Sequence, residues 1–188
     1  MINHKGTKRI ETERLILRKF TIDDADDMYN NWANDDLVTE YLTWPTHSSV
    51  EVSKMVLDYI TASYKNEDTY SWAIFDKEFN EVIGTIGVVD KDDNHEYCTM
   101  GYCIGQQYWG KGITTEALKV VIEFLFKEVC YERIQAFFHS TNIASGKVME
   151  KAGMKYEGKL RHYQKDNKGN FVDCDFYGIV RKDYFNSN

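Results

Sequence analysis

The chain has 188 residues, 43% of them apolar and 14% aromatic, with a single proline, a composition that excludes disorder and suffices for one buried core. Lys and Arg number 23 against 30 Asp and Glu, for a formal net charge of −7; this disfavours a nucleic-acid partner but leaves room for a local anion site. No window approaches about 18 consecutive apolar residues, so no membrane span is expected, and residues 1–10 lack the apolar segment of a signal peptide, which points to the cytoplasm.

Cys98, Cys103, Cys130 and Cys174 are too widely spaced for C-x-x-C, and no paired histidines accompany them. They read as reduced thiols, with no metal site.

Residues 14–20 alternate as a short strand. Asp23 and Asp24 then open a helix running to about Trp32, with acids in the first turn where the helix dipole favours them. Ser48 or Ser49 caps a second helix through Tyr64, whose apolar face is Val52, Met55, Val56, Tyr59 and Ile60. Three β segments follow at 70–75, 82–89 and 96–104, the first two joined as a hairpin and the last two by a charged turn at 90–94.

A glycine-rich loop then joins the strand ending near Ile104 to a helix over 114–129. That helix turns Ala117, Leu118, Val121, Phe124, Leu125 and Val129 inward. A strand at 133–138 follows so closely that a right-handed parallel crossover is expected. Asn142 begins a further helix that Gly153 stops. Segments 154–164 and 171–180 flank a hairpin loop at 166–170. The expected fold is one mixed α/β domain over 1–188, with a mostly antiparallel twisted sheet, a central parallel β-α-β step and flanking helices.

The loop Gln107-Tyr108-Trp109-Gly110-Lys111-Gly112 carries the chemical signal. Gly110 and Gly112 permit a sharp turn and close backbone approach. The amides that follow sit at the positive end of a helix, which suits a pyrophosphate. A strand-to-helix turn that binds nothing is the plain alternative. Gly105 to Lys111 also fits G-x-x-x-x-G-K, but a triphosphate loop needs Ser or Thr next, and Gly112 stands there.

Gln107-x-x-Gly110-x-Gly112 resembles the Q/R-x-x-G-x-G/A loop of the GNAT superfamily of acetyltransferases. The likeness extends through Thr12-Glu13-Arg14-Leu15-x-Leu17-Arg18, Gly101-Tyr102, Glu116-Ala117-Leu118, Asn142-x-x-Ser145, Glu150-Lys151-Ala152-Gly153-Met154 and Glu157-Gly158-Lys159-Leu160-Arg161. This order is similar to the ribosomal-protein N-acetyltransferase branch, of RimJ/RimL type, over nearly the whole chain.

The resemblance implies acetyl-CoA as donor and a primary amine as acceptor, joined by direct attack in a ternary complex. The acceptor would be a protein N-terminal α-amine, with a small-molecule amine as the alternative. A non-catalytic acyl-CoA-binding module is a third reading. It implies neither a nucleic-acid nor a membrane partner, and leaves monomer and homodimer open.

By position, backbone groups at Cys103 and Ile104 would hold the pantetheine arm. The loop from Gln107 through Trp109, Gly110, Lys111, Gly112, Ile113 and Thr114 would hold the pyrophosphate. Asn142 resembles the family's cofactor-binding asparagine and is equally suited to cap the next helix. Ser145 is the candidate acid for the departing thiolate, and Lys147 a candidate phosphate contact or a solvated lysine. Two departures stand out: Thr99 occupies the place of a common glutamate base, and Met149 that of a common tyrosine acid. Glu96 is the nearest carboxylate, although alternation puts it on the opposite face from Thr99. Trp32, Tyr41, Trp44 and His47 are expected to line the acceptor side.

Overall fold

In the computed structural model, which describes residues 1–187, eight strands form one sheet in the order β1-β2-β3-β4-β5-β6-β8-β7. The strands are β1 (Ile10–Glu11), β2 (Leu15–Arg18), β3 (Ser71–Asp76), β4 (Glu81–Asp92), β5 (Tyr97–Ile104), β6 (Arg133–His139), β7 (Lys155–Lys165) and β8 (Phe171–Val180). Every pairing is antiparallel except β5 with β6, as the short strand-helix-strand return requires.

The helices are α1 (Ala25–Met28), α2 (Asp36–Thr39), α3 (Val50–Ser63), α4 (Ile113–Phe124), α5 (Ile143–Lys151) and α6 (Arg181–Ser187). Alternation along the strands sends side chains to two separate cores. On one face Leu17, Trp72, Ile86, Met100 and Ile134 meet a stripe of Ala117, Leu118 and Val121 of α4 and Leu125 of the π turn (Leu125–Val129) that extends it, all four fully buried. Burying a leucine or valine contributes about 1.5–3 kcal/mol, so this stripe alone fixes the helix against the sheet. On the other face Ala73 and Val82 pack against Phe20, Met28, Trp32 and Leu57. The same face continues over β6 and β8, where Phe137 and Phe176 remain partly exposed.

Some expectations need correction. α3 turns Ser53 and Leu57 inward, both fully buried, while Met55 and Tyr59 of the expected apolar face are 70% and 79% exposed. The cause is a partner that patterning does not reveal: His47, whose Nδ1 lies 2.8 Å from Ser53 Oγ, satisfies that inward hydroxyl. β4 runs on through Asp92, so the first three residues of the expected charged turn at 90–94 are strand. A short helix, α2, stands between the two expected helices, where patterning assigns no element; the Asp35 side chain caps it by accepting from the Leu37 N–H. The first helix begins as a 3₁₀ turn at Ile22–Asp24 and ends in a π turn at Tyr29–Ala33.

Candidate active site

β5 and β6 pair only from Tyr97–Arg133 to Met100–Ala136. Beyond that point β5 stays with β4 to Ile104, and β6 stays with β8 to His139. The sheet therefore splits between two strands that each keep their outer partner. The register shows which backbone groups face the split. Gly105 N–H donates to the Ile83 carbonyl at 3.0 Å, and Ile104 lies opposite Gly84. Hydrogen-bonded pairs with β4 thus fall on Gly101, Cys103 and Gly105, and the amides and carbonyls of Tyr102 and Ile104 turn toward β6. This corrects the expectation for Cys103, whose backbone is committed to β4. The Ile104 carbonyl accepts from Trp109 Nε1 at 2.9 Å, which leaves the Ile104 N–H and both groups of Tyr102 facing the gap.

From Ile104 the chain passes through a 3₁₀ turn at Gln106–Tyr108 into α4. Gly110 and Gly112 have φ of +74° and +77°, a region that costs other residues roughly 1–2 kcal/mol. Gly112 is the N-cap of α4 and has no side chain to accept from the first-turn amides. The first-turn amides lie at the positive end of a 12-residue helix, where negative charge is favoured. Ile113 contributes only its amide, because its side chain is buried in the core.

The loop is braced from behind. Arg14 donates to the Lys111 carbonyl at 3.0 Å and, through Nε, to Glu116 at 2.7 Å; Thr12 Oγ1 donates to the same carboxylate at 2.6 Å. Tyr108 is buried and its hydroxyl donates to Glu81, while Gln107 Nε2 donates to that hydroxyl at 2.9 Å. The Lys111 ammonium stands 5.6 Å from the ring centres of both Phe79 and Tyr108.

Across the split, α5 answers β5. Tyr102 Oη lies 2.8 Å from Ser145 Oγ and donates to the Ser145 carbonyl at 3.1 Å. Burial pushes the Tyr102 hydroxyl well above its ordinary pKa, so it remains a proton donor. Tyr102, which in the sequence stands only as half of the Gly101-Tyr102 pair, thus joins the candidate site through Ser145. The Asn142 side chain caps α5 by accepting from Ser145 N–H at 3.4 Å. Lys147 is exposed on α5, and Met149 is buried in the core. Burial raises the Cys103 thiol to about 12, which keeps it neutral and unsuited to carry an acyl group.

On the opposite face a polar row crosses three strands. Glu157 accepts from Arg133, whose Nε donates to Gln135 Oε1 at 3.3 Å; Gln135 Nε2 donates to Thr99 Oγ1 at 3.1 Å. The Arg133 guanidinium beside Glu157 holds that carboxyl below its usual range. Thr99 is buried at 2% exposure. Glu96 is not part of this row. It sits in the turn before β5 with φ +52° and its carboxylate 3.1 Å from the Met1 ammonium. Seven residues separate it from Cys103, about 23 Å along a strand. It does not reach the split.

The four expected acceptor-side residues divide. Trp32 is buried at 1% exposure in the helical core, which removes it from any binding surface. Trp44 packs on that core, its ring 5.3 Å from His47, whose N–H donates to the Ala33 carbonyl at 2.8 Å. These two fasten the segment before α3, and burial lowers the His47 pKa. Tyr41 alone reaches the sheet, 5.5 Å from the His139 ring at the end of β6. Asn167 in the final hairpin donates to the Thr39 carbonyl at 2.9 Å, closing the space from above. Among the described residues no His, Cys, Asp and Glu cluster could hold a metal ion, and no helix is long and apolar enough to cross a membrane.

A split sheet with free backbone groups on one strand, leading into an uncapped helix start, defines an acyl-CoA-dependent transferase fold. Comparison with known proteins makes this specific. The acetyltransferase (GNAT) domain family matches residues 14–155. YoaA, an uncharacterized N-acetyltransferase of Bacillus subtilis strain 168, is 32% identical over 172 residues, 92% of this chain and 96% of its own. Among solved structures, the ribosomal-protein-S5-alanine acetyltransferase of Vibrio fischeri superposes with a TM-score of 0.81 at 24% identity, over 94% of this chain and 98% of that one. The microcin C7 self-immunity acetyltransferase MccE, solved with acetyl-CoA and AMP, gives 0.80 at 21% identity over 90% and 93%. The chain belongs to the GNAT family, and is an acetyl-CoA-dependent N-acetyltransferase.

Proposed function

We propose that this chain moves the acetyl group of acetyl-CoA onto a protein N-terminal α-amine by direct attack in a ternary complex. The observation that carries the reading is the polar row behind Thr99. Its one carboxylate, Glu157, is held by Arg133 and lies three strands away, so a buried hydroxyl stands where a base would act. An α-amine with a pKa of about 7.7–8.0 is roughly 10–20% neutral at pH 7, whereas a lysine amine near 10.4 is neutral in about one molecule in 2,500. A site without a dedicated base matches the former, with ordered water carrying the proton away.

In this reading the amides from Trp109 to Thr114 hold the pyrophosphate. The backbone groups of Tyr102 and Ile104 that face the split hold the pantetheine arm. Asn142, the N-cap of α5, and Lys147 on that helix add polar contacts to the cofactor in this reading. The amine attacks the thioester carbon from the Thr99 face, and the tetrahedral oxyanion meets the free N–H of Tyr102 or Ile104. The C–S bond then breaks and the thiolate takes the Ser145 Oγ proton, while Tyr102 turns its own hydroxyl hydrogen toward Oγ.

Thiol release measured with peptides against lysine side chains, polyamines and aminoglycosides tests this. Turnover confined to free peptide N-termini supports the reading; a preference for a small polyamine or antibiotic replaces it. Binding of acetyl-CoA without turnover of any amine would mark a non-catalytic module.

A further inference from the structure

We propose that the acceptor carries an apolar or aromatic side chain on the carbon next to its amine; this rests on the transferase reading above and specifies its substrate. Phe137 is the first residue of β6 beyond the last pair with β5, so it stands where the split opens. Its ring stacks on Phe176 at 5.0 Å. The Tyr163 ring meets both edge-on, at 4.9 and 4.8 Å. Tyr163 gets there because β7 bulges between Leu160 and Gln164, bending that segment over the sheet.

From the β4 side, the register shift at Val88/Asp90 puts Val89 over Gly101, where a Cβ would come within 2.6 Å of Val89 Cγ1. Val89 is 66% and Tyr163 45% exposed. Four apolar side chains from four strands thus flank the mouth of the split on the acceptor face. Apolar surface left uncovered beside a reacting centre indicates what is to be covered there.

The polar partner is adjacent. Asp90 lies opposite Thr99, exposed, with no hydrogen bond or ion pair among the described residues. An incoming ammonium has its counter-charge at Asp90, which orients it without deprotonating it, a carboxylate being a far weaker base than an amine; its side chain then falls on Phe137, Phe176 and Tyr163. For a second cationic group, as in a polyamine, the carboxylates of β7 and β8 are already engaged: Glu157 is held by Arg133, Asp175 accepts from Tyr156 at 3.1 Å with the Lys159 ammonium 3.9 Å away, and Asp173 accepts from the His162 N–H at 3.0 Å. No further reactant is needed. The ammonium gives one proton to water and the neutral amine forms the C–N bond; as the C–S bond breaks the nitrogen loses its second proton, which restores the one Ser145 gives the thiolate, and coenzyme A leaves as the thiol.

The test is thiol release with acetyl-CoA and peptides of common sequence beginning with Phe, Leu or Gly, in parallel with the three amino-acid amides. We expect kcat/KM for Phe and Leu to exceed that for Gly by about tenfold or more. The ratio should fall toward one in Phe137→Ala and, independently, in Tyr163→Ala, whose exposed ring makes a folding defect easy to separate by thermal midpoint. A ratio near one in the wild type, or one unchanged in both variants, overturns the inference while leaving the transferase reading intact. No turnover of any amine, with acetyl-CoA still raising the thermal midpoint, overturns the reading beneath it as well.

Discussion

Tyr102 Oη and Ser145 Oγ stand 2.8 Å apart, joining β5 to α5 across the split. A hydroxyl alone is a weak acid, but one that accepts from a second, buried hydroxyl while it donates loses less on giving up its proton. Ser145→Ala should lower kcat by roughly 10²-fold, as for a removed general acid, with little change in the affinity for acetyl-CoA. Tyr102→Phe should lower it less. The double variant should be no worse than Ser145→Ala, because the two act as one unit. Strictly additive losses would show that Tyr102 merely packs there.

The glycine pair is testable without an acceptor. At both positions φ is in the left-handed region, and a Cβ at Gly110 meets nothing within 4 Å. Gly110→Val and Gly112→Val should therefore fold, at a cost of about 1–3 kcal/mol from backbone strain. Each puts a branched side chain where a diphosphate would rest. The rise in thermal midpoint caused by acetyl-CoA should be lost in both. If either variant binds coenzyme A as the wild type does, the loop is only a turn.

Much of this was legible in the sequence because it depends on local rules. The α4 stripe, the two glycines, the parallel crossover and the final hairpin each follow from spacing within consecutive elements. What stayed hidden depends on contacts far apart in the chain. Trp32 reads as a surface aromatic until Leu57 and Val82 are seen to enclose it. Glu96 reads as a base because it is near Thr99 in sequence, yet the turn before β5 takes it away from the split. Tyr102 gains its significance only from Ser145, 43 residues on. The role of Arg14, bracing the Lys111 carbonyl 97 residues away, was visible only as part of a family pattern.

The polar row predicts an acid-sensitive increment of stability. The hydrogen bond and charge of Arg133 lower the Glu157 carboxyl below its ordinary value. A folded pKa below the unfolded one, about 4.3, means the contribution is present above that pH and disappears as pH falls through the folded value. Glu157→Gln should thus be less stable than wild type at pH 7, by about 1 kcal/mol or less because the pair is partly exposed. The gap should close below about pH 4. Urea titrations at pH 7, 5 and 3 measure it, and a gap that persists undiminished at pH 3 would contradict the assignment.

With Thr99 buried beside Gln135 and Glu96 turned away, the acceptor's own ionisation should govern the rate. Below the pKa of its amine, kcat/KM should rise about tenfold per pH unit and then level off. The inflection should follow the acceptor, near 7.7–8.0 for a peptide α-amine and toward 10.4 for a lysine side chain. An enzyme base would instead impose one inflection on every acceptor, at a pH the protein sets. The two cases separate when profiles for a peptide and for a slow lysine substrate are overlaid. A common inflection that Glu96→Gln abolishes would restore that carboxylate as the base and remove the argument for an α-amine.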